Sequence, residues 1–347
     1  MRVGYVGLDH HHRVPYLATI DQLDAEVVAT ADPHGTRPAD VGATDLEDRP
    51  WYDDVESLLE NESVELLWLT LSNERSPDAL EAALEADVDV MCEKPGARTA
   101  DDLTAVAERA RSSSATVGFA YTWRGHPIAR ELRARAEEDF FGTVRSFNLK
   151  FIASKLEARP TEHYLYDADT SRGGIVQWLG VHWIDLLAWL LEDPIVRVNA
   201  SIEHGYEGVD VEDGATLQLE LASGAVGTLT TGYYLHEGRY DTAIDIYGDD
   251  GQSSWDPMGS TFGFEGKTSI KLSSDDWKST PHREIVHEYQ PTPGYGGRWG
   301  LEFFETFLTA CRGAGQVPAG LEDALTVLSV LDAVYESAET QSWIAVP

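Results

Sequence analysis

Cysteine, lysine and long apolar runs are all scarce in this chain, and each shortage removes a class of protein. Two cysteines in 347 residues, Cys92 and Cys311, are too few for a disulfide framework and lack metal-ligand spacing. They read as reduced, mostly buried thiols with no chemical role. No apolar run approaches the roughly 20 residues that a membrane helix needs. The opening MRVGYVG reads as a strand rather than as the charged-then-apolar start of a signal peptide, so the expectation is a cytoplasmic protein without a membrane partner. Lysine occurs only at 94, 150, 155, 267, 271 and 278, and arginine supplies most of the 26 basic residues. Against 60 acidic residues they leave a net charge of -34, which argues against nucleic acid or anionic lipid as partner. Such a surface repels itself in dilute buffer, whereas about 1 M salt shortens the screening length to about 3 Å. A halophilic protein is expected. Substrate charge is not legible from the net charge.

The hydrophobic share, 42%, is ordinary for a globular protein, and the length suits two domains with separate cores. There is no internal repeat and no low-complexity segment. Over the first 120 or so residues, short apolar runs alternate with amphipathic stretches, the pattern of a parallel sheet with helices on both faces. Strands are predicted at 2–6, 26–31, 64–70, 88–92 and 116–119. Ser76-Pro77 predicts a helix start, with the serine capping free amides, and Thr99 with Asp102 approximates a capping box.

Beyond Tyr121 the segments lengthen and alternate, at 143–153, 196–203, 215–221, 225–233 and 242–247, which predicts a largely antiparallel sheet. Helices are predicted at 175–190, 301–310 and 321–338. The Gly-, Asp- and Ser-rich stretch 249–266 and the stretch 291–300 read as loops. The fold class is therefore α/β, with an N-terminal dinucleotide-type domain at 1–121 and, at 122–347, an α+β domain carrying a large, open, mainly antiparallel sheet.

In a doubly wound sheet a dinucleotide sits at the carboxyl ends of the strands, its pyrophosphate on the first helix N-terminus. Of the Gly-x-Gly-x-x-Gly pattern only Gly7 is present, and Asp9 and His12 hold the other two places. Three adjacent histidines, His10, His11 and His12, suggest metal, yet consecutive side chains point in different directions, so no metal site is expected. Their backbone amides still suit phosphate. Asp32, at the end of the second strand, reads either as an acceptor for the adenine ribose hydroxyls, favouring NAD, or as a turn aspartate. Arg37 keeps NADP possible.

Glu93-Lys94-Pro95, following the strand Val88 to Cys92, resembles the signature of the Gfo/Idh/MocA oxidoreductases. Other segments agree in order: Tyr52 to Leu59, Leu71-Ser72-Asn73 where a Thr-Pro-Asn turn is usual, and Ala82 to Ala86. Then come Arg124, Pro127, Gly142-Thr143-Val144, Gly173-Gly174, Gly180-Val181-His182-Trp183-Ile184-Asp185, and finally Asp323-Ala324 through Ser337-Ala338. The likeness runs through nearly the whole chain.

The resemblance implies a Rossmann domain joined to an open-sheet substrate domain, and a hydride exchanged between nicotinamide and a sugar, polyol or related alcohol. It implies NAD, with NADP possible, and a homodimer or homotetramer formed through an apolar sheet face too costly to leave wet. Lys94 would place an ammonium beside the developing alkoxide, and His182 would take the proton. Arg124, Tyr166, Trp178 and Asp185 would bind substrate, Asp185 also orienting His182 from one turn away. Gly7, Leu8, His10, His11, Asp32, Asn73, Glu93 and Lys94 would hold the cofactor.

The chain also departs from the pattern. Trp178 stands where the family places an aspartate one turn before the histidine, and Ser72 and Ser76 replace a proline and a histidine. These departures sustain two alternatives, a dinucleotide- or sugar-binding regulatory protein without turnover, and an NAD-assisted glycosidase of the same family.

Overall fold

Four of the five residues of β1 (Arg2–Val6) and all four of β4 (Leu66–Leu69) are buried. Strands apolar on both faces require cover on both sides, as in a helix-flanked parallel sheet. The computed structural model describes residues 1–154, 163–206, 208–236, 240–258 and 267–347. In its first sheet the order is β3-β2-β1-β4-β5-β6, with β2 Glu26–Ala31, β3 Trp51–Tyr52, β5 Asp89–Cys92 and β6 Val117–Phe119. Every neighbouring pair is parallel. The helices between the strands are α1 (Arg13–Ile20), α2 (Val55–Asn61), α3 (Ser76–Glu85) and α4 (Thr104–Ala110).

Local chemistry sets the helix starts. Asp54 caps α2 by accepting Ser57 N at 2.6 Å, and the expected box forms ahead of α4, with Thr99 N on Asp102 Oδ2 and Asp102 N on Thr99 Oγ1. The expected cap at Ser76 does not form. Its hydroxyl instead donates backward to the carbonyl of Ser72 at 2.9 Å, and Arg75 precedes the helix without a side-chain cap.

The second sheet has the order β14-β13-β12-β11-β7-β10-β9-β8-β15 and is antiparallel throughout except for the β7/β10 pair. Its strands are β7 (Val144–Ser154), β8 (Ile195–Glu203), β9 (Gly214–Leu221), β10 (Val226–Leu235), β11 (Asp241–Gly248), β12 (Gly251–Trp255), β13 (Lys267–Ser274), β14 (His282–Glu288) and β15 (Ile344–Ala345). The helices of this half are α5 (Pro127–Glu137), α6 (Ala168–Ser171) and α7 (Val181–Leu191), the last preceded by a π-helical turn at Val176–Gly180. Trp183 of α7 lies on β7, its ring 4.7 Å from Phe151 and its indole nitrogen on the Lys150 carbonyl. Residues Ala168–Leu191 are long and apolar enough to cross a membrane, contrary to expectation, but 78% of that apolar window is buried inside the protein. It is a core helix.

The other face of this sheet is mixed, with Val226, Tyr234, Tyr247 and Val286 exposed on it beside a polar row. Asn199, Gln218, Thr228, Asn148, Asp245, Ser254, Lys271 and Glu284 stand opposite one another in a single row across eight strands. Along this row the face carries side chains that water solvates well, and its exposed apolar groups stand in the flanking rows.

The chain divides into two compact units, Met1–Thr122 with Thr292–Thr326, and Trp123–Pro291 with Val327–Pro347. The expected second domain, 122–347, thus cedes residues 292–326 to the first. These residues carry α8 (Gly297–Cys311) and the first turns of α9 (Leu321–Thr340). The reason is aromatic packing: Phe304 of α8 lies 4.8 Å from Trp68 and 5.7 Å from Tyr16, ring to ring. Two predicted loops are also shorter than expected, since β12 occupies part of 249–266 and α8 begins at Gly297. Residues 259–266 lie outside the described residues.

Candidate active site

In the first unit, the carboxyl ends of β1, β2, β4 and β5 bring together most of the residues expected to hold a cofactor. Gly7 leaves β1 at φ +90°, and a Cβ there would lie 2.5 Å from the Thr70 carbonyl oxygen. Only glycine lets the loop pass so close to the end of β4. Thr70 Oγ1 donates to the Gly7 carbonyl at 2.6 Å and pins that passage. Leu8 and Asp32 are joined directly, Leu8 N donating to Asp32 Oδ2 at 2.7 Å, while Asp32 Oδ1 accepts His34 N at 2.8 Å. Asp32 is thus buried and bonded to its own turn and to the β1–α1 loop, which is the turn role, and that role leaves its remaining lone pairs for a ligand. Asn73 is buried in the turn after β4. Arg37 lies over the Trp51 ring, 4.3 Å from its centroid.

The histidine triplet is arranged otherwise than expected. The rings converge: His10 to His11 is 4.4 Å, His10 to His12 is 5.0 Å and His11 to His12 is 3.9 Å between centroids. The cause is the tight turn into α1, in which His12 N donates to His10 Nδ1 at 3.1 Å. His12 Nδ1 lies 2.6 Å from Glu93 Oε1, and Tyr16 OH donates to the same oxygen. Lys94 N donates to Glu93 Oε2 at 2.9 Å. Lys94 is 4% exposed and is followed by a cis peptide bond to Pro95. Burial pushes the Glu93 carboxyl up, yet the charge and hydrogen bond of His12, with the charge of Lys94, draw it well below the ordinary carboxylate range. His12 and Tyr16 are partners of this carboxylate that sequence reasoning did not single out; the histidine triplet itself was the signal that could have found them.

In the second unit the α7 region carries the residues expected to meet substrate. His182, 4% exposed, is the second residue of α7. Asp185 is gripped by Arg124, with Nε to Oδ2 at 3.0 Å and Nη2 to Oδ1 at 2.5 Å, so both carboxylate oxygens carry a bond to Arg124 rather than serving His182 alone. Trp178 and Tyr166 do come together, in a buried cluster with Leu165 and Val211. The Trp178 indole N–H donates to Ser171 Oγ at 2.8 Å, and Ser171 Oγ donates to the Gly173 carbonyl. Glu212, which the sequence did not single out, accepts Gly174 N at 2.7 Å, Val176 N at 3.0 Å and Tyr335 OH at 3.1 Å, and so anchors the π-helical turn.

Comparison with known proteins adds a consistent picture. Residues 1–121 match the model of an oxidoreductase family with an NAD-binding Rossmann fold, and residues 129–254 match a GFO/IDH/MocA C-terminal domain. The chain is 23% identical over 331 residues to a levoglucosan dehydrogenase of Pseudarthrobacter phenanthrenivorans, covering 85% of this chain and 83% of that protein. It is 26% identical over 291 residues to an NADP(+)-dependent D-xylose 1-dehydrogenase of Haloferax volcanii, covering 83% and 82%. A solved levoglucosan dehydrogenase in complex with NADH and levoglucosan superposes with a TM-score of 0.84 at 19% identity, covering 100% of this chain and 99% of that one. That likeness establishes a shared fold.

Proposed function

Because the chain belongs to the Gfo/Idh/MocA family of oxidoreductases, we propose that it moves a hydride between a nicotinamide dinucleotide and the hydroxyl-bearing carbon of a sugar, polyol or related alcohol. The observation that carries this reading is Lys94, buried in the Glu93-Lys94-Pro95 turn at the end of β5 with its backbone amide fixed on Glu93. The nicotinamide supplies hydride chemistry when bound. Lys94 places its ammonium on the alcohol oxygen and lowers the cost of losing its proton, and His182 accepts that proton. Gly7, Leu8, His10, His11, Asn73 and Glu93 line the cofactor loop, with Asp32 setting the turn beside them. NAD is the favoured cofactor because an acidic residue closes β2; the Haloferax relative, named for NADP(+), makes NADP the alternative to be measured.

For substrate, Arg124 and Asp185 form one polar unit, and Tyr166 and Trp178 offer aromatic surface suited to the apolar face of a sugar ring. The scarcity of lysine and the charge of -34 support operation in high salt. A panel of sugars and polyols with NAD and NADP in about 2 M KCl tests the proposal. Steady formation of reduced cofactor with any member supports it. Cofactor binding without turnover across the panel favours a regulatory role, for which Trp178 in place of a carboxylate is the supporting feature. Product release without net reduced cofactor marks the NAD-assisted glycosidase.

A further inference from the structure

One ring nitrogen from each of His10, His11 and His12 lies within 4.8 Å of the other two. Two kinds of ligand suit such a group: a borderline divalent cation taken by lone pairs, or an anion taken by N–H donors. The tautomers decide between them. His10 Nδ1 accepts the backbone N–H of His12, so the neutral His10 ring carries its proton on Nε2 and presents a donor there. A cation at Nε2 needs the lone pair that this proton occupies, and a cation at Nδ1 must displace the turn's own hydrogen bond.

His12 faces the buried Glu93 carboxylate through Nδ1 at 2.6 Å. An ionised carboxylate at that distance favours the imidazolium, which keeps a proton on both nitrogens and makes Nε2 a second donor. Tyr16 and Tyr295 hold the ring edge to face, at 5.5 and 4.6 Å between centroids. The other charged groups pull in both directions. Lys94, whose charge also acts on Glu93, opposes a further positive charge, as does Arg13, whose guanidinium donates to the Leu8 carbonyl. Glu93 opposes them from within hydrogen-bonding range. His10, neutral with Nδ1 accepting, adds no charge, and the titratable His11 ring stands 3.9 Å from His12.

The anion that a Rossmann fold brings to this loop is the dinucleotide pyrophosphate, and the two fingerprint glycines that would admit it are missing here. We infer that, with Asp9 and His12 standing at those two places, His10 and His12 serve as imidazole N–H donors to the pyrophosphate, and that dinucleotide binding takes up a proton at His12, held there by Glu93. The inference rests on the oxidoreductase reading and deepens it by making cofactor affinity proton-coupled. Glu93 acts through His12 and is a positioning residue. The sign follows from the charge: protonation adds a donor and a positive charge facing an anion, so affinity falls as pH rises and His12 loses its proton.

Calorimetric titration of the full-length protein with NADH, NADPH and ADP-ribose, from about pH 6 to about pH 9 in buffers of different ionisation enthalpy, measures the coupling directly. Expected at the alkaline end is uptake of about one proton per ligand, with affinity falling up to about tenfold per pH unit. Adenosine, which lacks the pyrophosphate, binds without proton uptake. His12→Gln, which keeps a neutral donor, removes the pH dependence and weakens ADP-ribose about tenfold or more, and Glu93→Gln moves the pH dependence to lower pH.

Equal affinity across the range with no buffer-dependent heat overturns the inference and leaves the oxidoreductase reading standing. Failure of all three ligands to bind at any pH overturns that reading itself. Tight binding of Zn2+ that is lost in His10→Ala and unaffected by ADP-ribose overturns the anion assignment in favour of a metal.

Discussion

Arg124 and Asp185 are joined by two parallel hydrogen bonds, Nε to Oδ2 and Nη2 to Oδ1, with both side chains buried. A fork-to-fork pair of this kind is strong only while both members stay. Arg124→Leu leaves a buried carboxylate without its counter-charge and is expected to cost about 3 to 5 kcal/mol. Asp185→Asn keeps one acceptor and costs less. Urea melts in molar KCl check the order; equal stability of Arg124→Leu and wild type would show that water reaches the pair.

Asp32 bonds to the backbone amides of Leu8 and His34, so Asp32→Ala should disorder the loop that meets the cofactor. Binding of both NAD and NADP should then weaken. A purely ribose-binding aspartate would instead lose NAD affinity and narrow the preference. The ratio of the two dissociation constants, mutant against wild type, separates the roles.

Trp178 fills a buried cluster and spends its only polar hydrogen on Ser171. Trp178→Ala is expected to cost about 3 to 5 kcal/mol, and Ser171→Ala, which strands the indole N–H, about 1 to 3 kcal/mol. Trp178→Phe should fold and show whether the ring also meets substrate: a changed KM places it at the ligand, and unchanged kinetics make it packing alone.

Lys94→Met retains most of the aliphatic volume and removes the ammonium. Turnover should drop at least about 100-fold, with NADH affinity kept within a few-fold because the side chain acts on the reacting oxygen. Loss of NADH binding in parallel with turnover would move Lys94 to the cofactor alone.

How much of this was written in the sequence depends on whether a residue's partner lay nearby in the chain. β1, β2 and β4 to β6 were legible because continuous apolar runs bounded by turn residues have few other homes, and Thr99 with Asp102 because a capping box is local. β3 is two residues long, and β13 and β14 alternate with serine, lysine and glutamate too polar to give a clear face. The roles of Glu93 and Asp185 were read only in part, because their partners, His12 and Arg124, are distant in sequence. Ser76 looked like a cap by type and spacing, but a serine hydroxyl can donate as well as accept, and the Ser72 carbonyl claimed it.

The return of residues 292–326 to the first unit has a consequence for how the protein comes into being. Trp68 and Tyr16 gain their aromatic cover from Phe304, the Phe307 ring closes on Gly118, and Phe119 N bonds to the Ala319 carbonyl. On the ribosome, the sheet of residues 1–122 is therefore made long before its lid, and the whole sheet domain of residues 123–291 is translated in between. A nascent chain in that interval exposes an aromatic face and must keep it from other chains. Its dense negative charge opposes such encounters by mutual repulsion, and a fragment ending at residue 121 would carry the open face permanently.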